Sequence, residues 1–134
     1  MPIQYKVNTE IDADQFIDVL NRSKLSQRRP IQDRECIEGM IRNANLLVTA
    51  WDGAKLVGVA RSVTDFHYAC YLSDLAVDQS YQRAGIGKML IANTKTALGP
   101  RCTITLIIAP DAAGYYPKVG FLQNINCWEL NPDK

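Results

Sequence analysis

The run Tyr71-Leu-Ser-Asp-Leu-Ala-Val-Asp-Gln-Ser-Tyr-Gln-Arg-Ala-Gly-Ile-Gly-Lys-Met-Leu90 decides how the rest of the chain is read. Tyr71 to Val77 is apolar enough to predict a buried strand. From Gly85 onward the pattern predicts a helix to about Leu98, and Cys102 to Ala109 predicts a second strand. Between strand and helix, Gln82-Arg-Ala-Gly-Ile-Gly87 sets two glycines and an arginine at the helix entrance. The first N–H groups of a helix have no intrahelical partner and sit at the positive end of its dipole. Glycines let the backbone turn so that successive N–H groups converge on one anion. The unit is strand, loop, helix, strand, with a phosphate-binding device at the C-terminal end of the first strand.

Other glycine loops do not fit this spacing. A phosphate loop of the nucleotide-hydrolase type requires Gly at position 82 and Ser or Thr at position 89, where this chain has Gln82 and Met89. A dinucleotide fingerprint requires a third glycine where Leu90 stands. Gly85 and Gly87 taken alone are also compatible with a loop that merely starts a helix.

Length and composition narrow the field. A chain of 134 residues predicts one domain, long enough to bury a core. A net charge of +1 supplies no field for nucleic acid or an anionic membrane, so neither partner is expected. No apolar run approaches transmembrane length, and the polar, charged N-terminus does not read as a signal peptide. Cys36, Cys70, Cys102 and Cys127 form no C-x-x-C pair, and with a single His no metal site is predicted. Core cysteines in a reducing compartment are the expectation, which places the protein in the cytoplasm.

Working outward, Ile3 to Val7 predicts a strand. Asp12 followed by Gln15 predicts a capping box for a helix whose apolar stripe is Phe16, Ile17 and Leu20. Asn21 to Ile31 carries Arg22, Lys24, Arg28 and Arg29 and reads as a solvated loop or, in the alternative, as a basic stretch near a substrate pocket that could attract an acidic substrate. Asp33 predicts the cap of a second helix, with Ile37, Met40, Ile41 and Ala44 on its core face. Leu46 to Trp51 and Lys55 to Val63 flank Asp52-Gly53 as a hairpin, and Gly58 marks a bulge or a close contact. Asp65 to Tyr68 predicts the next turn. The apolar end of strand 102–109 suits burial on both faces in a parallel pair. A short helix is predicted after Pro110, then closing strands at 121–123 and 126–130. The fold class is mixed α/β: a mostly antiparallel central sheet with one parallel pair joined by a right-handed crossover, flanked by helices.

Two motifs now carry a resemblance. Gln82-x-x-Gly85-x-Gly87 after an acidic-apolar strand resembles the acetyl-CoA signature of the GNAT superfamily of N-acetyltransferases. Ala113-Gly-Tyr-Tyr-Pro-Lys-Val-Gly-Phe121 is similar to that family's second signature, and the two stand in the family's order and separation. The resemblance implies transfer of an acetyl or other acyl group from acetyl-CoA to a primary amine of a small molecule or protein, by direct attack on the thioester. It implies that the parallel strands splay, with the pantetheine arm between them. The loop Gln82, Arg83, Ala84, Gly85, Ile86, Gly87 and Lys88 would hold the pyrophosphate. Backbone groups of Leu75, Ala76 and Val77 would pair with the pantetheine, and an N–H near Leu75 would stabilise the oxyanion. Tyr116 matches the general acid, while Tyr115 takes the place of a buried aromatic. Pro117 and Gly114 predict a short or kinked helix there. Asp74 is the closest candidate for the base, ahead of Asp65 and His67. The alternative is a CoA-binding module of the same fold without catalysis. Neither the acceptor nor the oligomeric state is set by the sequence, although the C-terminal strand is one that a second copy, in a homodimer, could pair with.

Overall fold

The computed structural model describes residues 2–132. Five strands form one sheet in the order β1-β2-β3-β4-β5, from Gln4–Val7, Leu46–Asp52, Lys55–Thr64, Ala69–Val77 and Thr103–Thr105. The first four pair antiparallel and the last two parallel, so the sheet is mixed as the sequence predicts. Three α-helices flank it: α1 (Ala13–Ser23), α2 (Arg34–Asn43) and α3 (Ile86–Leu98).

The helix starts follow local chemistry. Asp12 accepts from the Gln15 amide at 2.8 Å while the Gln15 side chain accepts from the Asp12 amide at 2.9 Å, a complete capping box. Asp33 caps α2 by accepting from the Cys36 amide at 3.0 Å. The stripe of α1 buries Phe16, Val19 and Leu20, each 0% exposed, against Leu47, Trp51 and Val59 of the sheet. Each such side chain contributes about 1.5–3 kcal/mol of hydrophobic stabilisation. On the opposite face, α3 packs Ile86, Leu90 and Ile91 onto Leu46, Val48 and Ala60.

Two bulges bend the sheet. One lies between Ala50 and Trp51, opposite Gly58, where β2 meets β3. A Cβ on Gly58 would stand 3.1 Å from Leu90 and 3.2 Å from Ile86, so this glycine marks both a bulge and the close approach of α3. The other interrupts β3 and β4: Arg61 faces Asp74 and Ser62 faces Leu72, leaving Ser73 as the extra residue. That extra residue shifts the alternation, so Cys70 and Leu72 share the α3 side with Leu75 and Val77, while Ala76 joins the core under α1.

Several expectations are corrected. The strand expected over 102–109 is only Thr103–Thr105, because β4 and β5 pair through Ala69–Thr103, Cys70–Ile104 and Tyr71–Thr105 and then part. Residues 106–109 have no neighbouring strand, and Ile107 is 42% exposed rather than buried on both faces. The closing strands at 121–123 and 126–130 do not form. So short a β5 offers no edge for them, and Leu122, Ile125, Trp128 and Leu130 lie exposed. After Pro110 the chain makes two 3-10 turns, Pro110–Ala112 and Tyr116–Val119. Of the four cysteines, Cys70 is buried and Cys102 half-buried, but Cys36 and Cys127 are exposed, contrary to a core role for all. Among the described residues no helix is long and apolar enough to cross a membrane, and no cluster of His, Cys, Asp and Glu could hold a metal ion.

Candidate active site

The third helix is built differently from the first two. Its N-cap is Gly85 at φ +78°, in the left-handed region, and no side chain caps it. Met89 N bonds to Gly85 O at 3.0 Å as the first turn closes, leaving the amides of Ile86, Gly87 and Lys88 at the open mouth. Arg83 also has a positive φ, +68°, a conformation that costs a non-glycine residue about 1–2 kcal/mol. The loop is held in place from behind. Asp78, 3% exposed, accepts from Arg22 of α1 and from the Ser80 amide at 2.8 Å. Tyr81 donates to Asp52 at 2.5 Å, with the Lys55 ammonium over its ring. Burial opposes the charge on Asp78, but the bonds from Arg22 and Ser80 outweigh it and hold its pKa below the ordinary carboxylate range.

In front of this mouth lies a cleft of about 770 Å³. It opens where β4 and β5 part after Tyr71–Thr105, so the β4 backbone beyond that pair, still paired with β3 on its other edge, has no strand on the β5 side. Leu75, Ala76 and Val77 line the cleft on one side, and Leu106 and Ile107 on the other. Gln82, Arg83, Gly85, Ile86, Gly87 and Lys88 border its end, with the Gln82 side chain donating to Val77 O at 3.4 Å. Ala84 lies on the same loop, exposed, but does not line the cleft.

Tyr115 and Tyr116 both reach the cleft. Tyr116 is half-buried, edge-on to Phe121 with centroids 5.5 Å apart and to Tyr115 at 5.2 Å. Burial raises its phenol pKa, the neighbouring Tyr115 adds to this, and the charge of Arg29 opposes it. Its hydroxyl therefore carries its proton at neutral pH. The predicted short, distorted helix is a single 3-10 turn closed by Gly120 at φ +98°, with the Phe121 amide donating to Tyr116 O at 3.1 Å. Tyr115 differs from the expectation of a buried ring: it is 37% exposed, and its hydroxyl would be 2.6 Å from a Cβ on Gly87. The missing side chain of Gly87 is what lets a second phenol rest at the helix mouth. The sequence does not display that role.

Asp74 requires a correction. It is 0% exposed, with Oδ1 accepting from Arg29 Nε and Oδ2 from Arg61 Nε. Both oxygens are occupied and the residue does not line the cleft, so an acceptor amine has no route to it. The bulge at Ser73 explains the orientation, since it turns Asp74 to the face where Arg61 lies. Asp74 anchors the turn that carries Arg29 to the sheet. The runners-up fare no better: Asp65 Oδ1 accepts from the amides of His67, Tyr68 and Ala69, and neither it nor His67 lines the cleft.

Comparison with known proteins gives the family and the fold. The family described as the acetyltransferase (GNAT) domain matches residues 17–126, and the chain belongs to that family of acetyltransferases. It is 26% identical over 103 residues to an uncharacterized N-acetyltransferase, ycf52, of Pyropia yezoensis, covering 72% of this chain and 58% of that protein. The ycf52 N-acetyltransferase of Gracilaria tenuistipitata var. liui is also 26% identical, over 124 residues, 87% of this chain and 68% of that one. The chain thus spans little more than half the length of the first of these relatives, at 58%. In structure it is similar to a GNAT family acetyltransferase from Streptococcus pneumoniae TIGR4, with TM-score 0.79, 21% identity and 99% and 98% of the two chains covered. An aminoglycoside acetyltransferase from an uncultured soil metagenomic sample, in complex with sisomicin, has TM-score 0.72 at 20% identity, covering 98% and 97%. Likenesses at these identities establish the fold.

Proposed function

We propose that the chain transfers an acetyl group from acetyl-CoA to a primary amine. The observation that carries this reading is the uncapped mouth of α3, opening on a cleft between two parted parallel strands. A helix start left without a side-chain cap, beside two others that are capped by aspartates, is a site kept for an external anion. The diphosphate of CoA has that chemistry, and its thioester supplies the activated acetyl group. The amides of Ile86, Gly87 and Lys88 bind the diphosphate, with Gln82 and Arg83 beside them. Backbone groups of Leu75 and Val77, unpaired toward β5, bond the pantetheine as an added strand would. The N–H near Leu75 is the donor for charge developing on the carbonyl oxygen, a contribution of about 3 kcal/mol in comparable sites. Tyr116, protonated at neutral pH, donates its proton to the departing thiolate.

One observation favours the alternative of a CoA-binding module without catalysis: the burial of Asp74 removes the carboxylate first read as base. Thiol release from acetyl-CoA decides between them. Measured across amino acids, polyamines, aminoglycosides and peptides, release that depends on an amine supports the transferase. CoA binding with no release for any amine supports the module.

A further inference from the structure

A second, smaller cavity of about 280 Å³ opens beside the cleft and shares with it Leu25, Arg28, Arg29, Ser73, Ile107 and Ala109. The two are therefore continuous, and a molecule seated in the small one faces the parted strands. Its own walls add Tyr71 and Glu129. We infer that this cavity is the acceptor site, and that the acceptor is a small amino-carboxylate: a molecule with a primary amine and a carboxylate, the carboxylate bound on Arg28. The identification of an acceptor rests on the acetyl-transfer reading above.

The two arginines are not equivalent. Arg29 is fully engaged: Nε donates to Asp74, one terminal nitrogen donates to Arg28 O at 2.8 Å, and the other to Ser73 O at 2.6 Å. Those bonds tie the 3-10 turn Leu25–Arg28 to β4 and fix the backbone from which Arg28 projects. The Arg28 guanidinium itself makes no hydrogen bond or ion pair among the described residues and is exposed at the cavity wall. An uncommitted guanidinium on a fixed turn presents a planar fork that a carboxylate matches bidentately.

The local charge points the same way. Asp74 is one carboxylate between two guanidinium groups, Arg29 and Arg61, and so leaves a positive surplus beneath the cavity. Arg28 adds to that surplus, while Glu129 is the one carboxylate in the lining. The whole chain carries only +1, so this is a local arrangement and not an average property. A polyamine or aminoglycoside, with several ammonium groups, meets like charge here. An amino-carboxylate brings a carboxylate to Arg28 and has Glu129 available for its ammonium. Size agrees, since about 280 Å³ lies below the roughly 300–1,000 Å³ of drug-sized pockets.

The test is calorimetric titration of β-alanine, leucine and phenylalanine, each against its carboxamide, with spermidine alongside, into the full chain with and without saturating CoA. At least one amino-carboxylate is expected to bind about 10- to 100-fold more tightly than its carboxamide, the range for a charge-assisted bonded pair. In Arg28→Gln that ratio should fall to near one. Arg28 is exposed, so the variant is expected to fold. Equal affinity for acid and amide, tighter binding of spermidine, or an unchanged ratio in Arg28→Gln overturns the inference. Thiol release from acetyl-CoA with the same compounds separates the two readings. If carboxamides or spermidine are acetylated as fast as the acids, the acceptor class is wrong and acetyl transfer stands. If the acids bind through Arg28 but neither CoA binding nor thiol release occurs, the carboxylate site stands and acetyl transfer falls.

Discussion

Asp74 and Tyr115 are the two side chains that the structure places otherwise than the sequence predicts. Asp74 lies under the surface with a guanidinium on each oxygen, and the Arg61 side chain beside it is only 8% exposed. Asp74→Asn removes the charge that both arginines face, and breaking a buried pair in this way costs about 3–5 kcal/mol. The expected result is a melting temperature lowered by at least ~10 °C for a domain of this size, with any loss of activity uniform across pH. A loss confined to pH below the acceptor's own pKa, at unchanged melting temperature, would return Asp74 to the role of base. Tyr116 is where the chemistry is expected. Tyr116→Phe keeps the ring contacts with Tyr115 and Phe121 and removes the proton donor. kcat should fall roughly 10²- to 10⁴-fold with CoA affinity little changed. Tyr115→Phe should act the other way, on CoA affinity rather than kcat, because the Tyr115 hydroxyl stands against Gly87 at the helix mouth. Single-turnover kinetics with a fixed acceptor separate the two. Full kcat in Tyr116→Phe with chemistry rate-limiting would make that ring packing alone.

Turns and strand ends show which elements the sequence could disclose. The turn from β3 to β4 is written in one residue: Asp65 Oδ1 accepts three backbone amides, from Tyr68 at 2.8 Å, His67 at 2.9 Å and Ala69 at 3.0 Å. Those bonds, that of Tyr68 first, hold its pKa at about 2. A carboxylate depressed in the folded state stabilises it above the unfolded pKa of about 3.9, and the contribution is lost as pH falls through the folded value. Unfolding measured between pH 4 and pH 2 should therefore show a shallower fall of stability in Asp65→Asn, which keeps the acceptor oxygen and drops the charge. Equal slopes would contradict the assignment. The same locality explains what was readable elsewhere. The caps at Asp12 and Asp33, the Asp52-Gly53 hairpin and the Gly85 helix start each depend on neighbours a few residues away, and all lie where the pattern predicts. The end of β5 and the segment 121–130 depend on whether a strand lies alongside, which no local pattern encodes. Ile107 and Trp128 have strand-forming side chains and no partner strand. The fate of Asp74 is of the same kind, since it follows from one extra residue in the β3–β4 register at Ser73.

At the scale of the molecule, α1 and the segment leading into the glycine loop are tied together. Arg22 near the end of α1 bonds Asp78 just after β4 and Leu56 O of β3 at 2.6 Å, so the segment leading into the glycine loop is fixed from the far side of the sheet. Arg29 does the same for the turn that carries Arg28, through Asp74 and Ser73 O. The amide mouth of α3 and the Arg28 side chain thus border one cleft, which Tyr116 also lines. The amide mouth is the feature on which the rest depends. A Cβ on Gly85 would meet nothing within 4 Å, so Gly85→Val acts through the +78° backbone angle, which a β-branched residue resists, and not through crowding of the core. The most direct measurement is calorimetric titration of CoA into the wild-type chain and into Gly85→Val, with circular dichroism showing that the variant is folded. Wild type is predicted to bind CoA and the folded variant to lose at least about tenfold in affinity, as expected for loss of a charge-assisted contact. Equal affinity in the two proteins would contradict the placement of the diphosphate on α3.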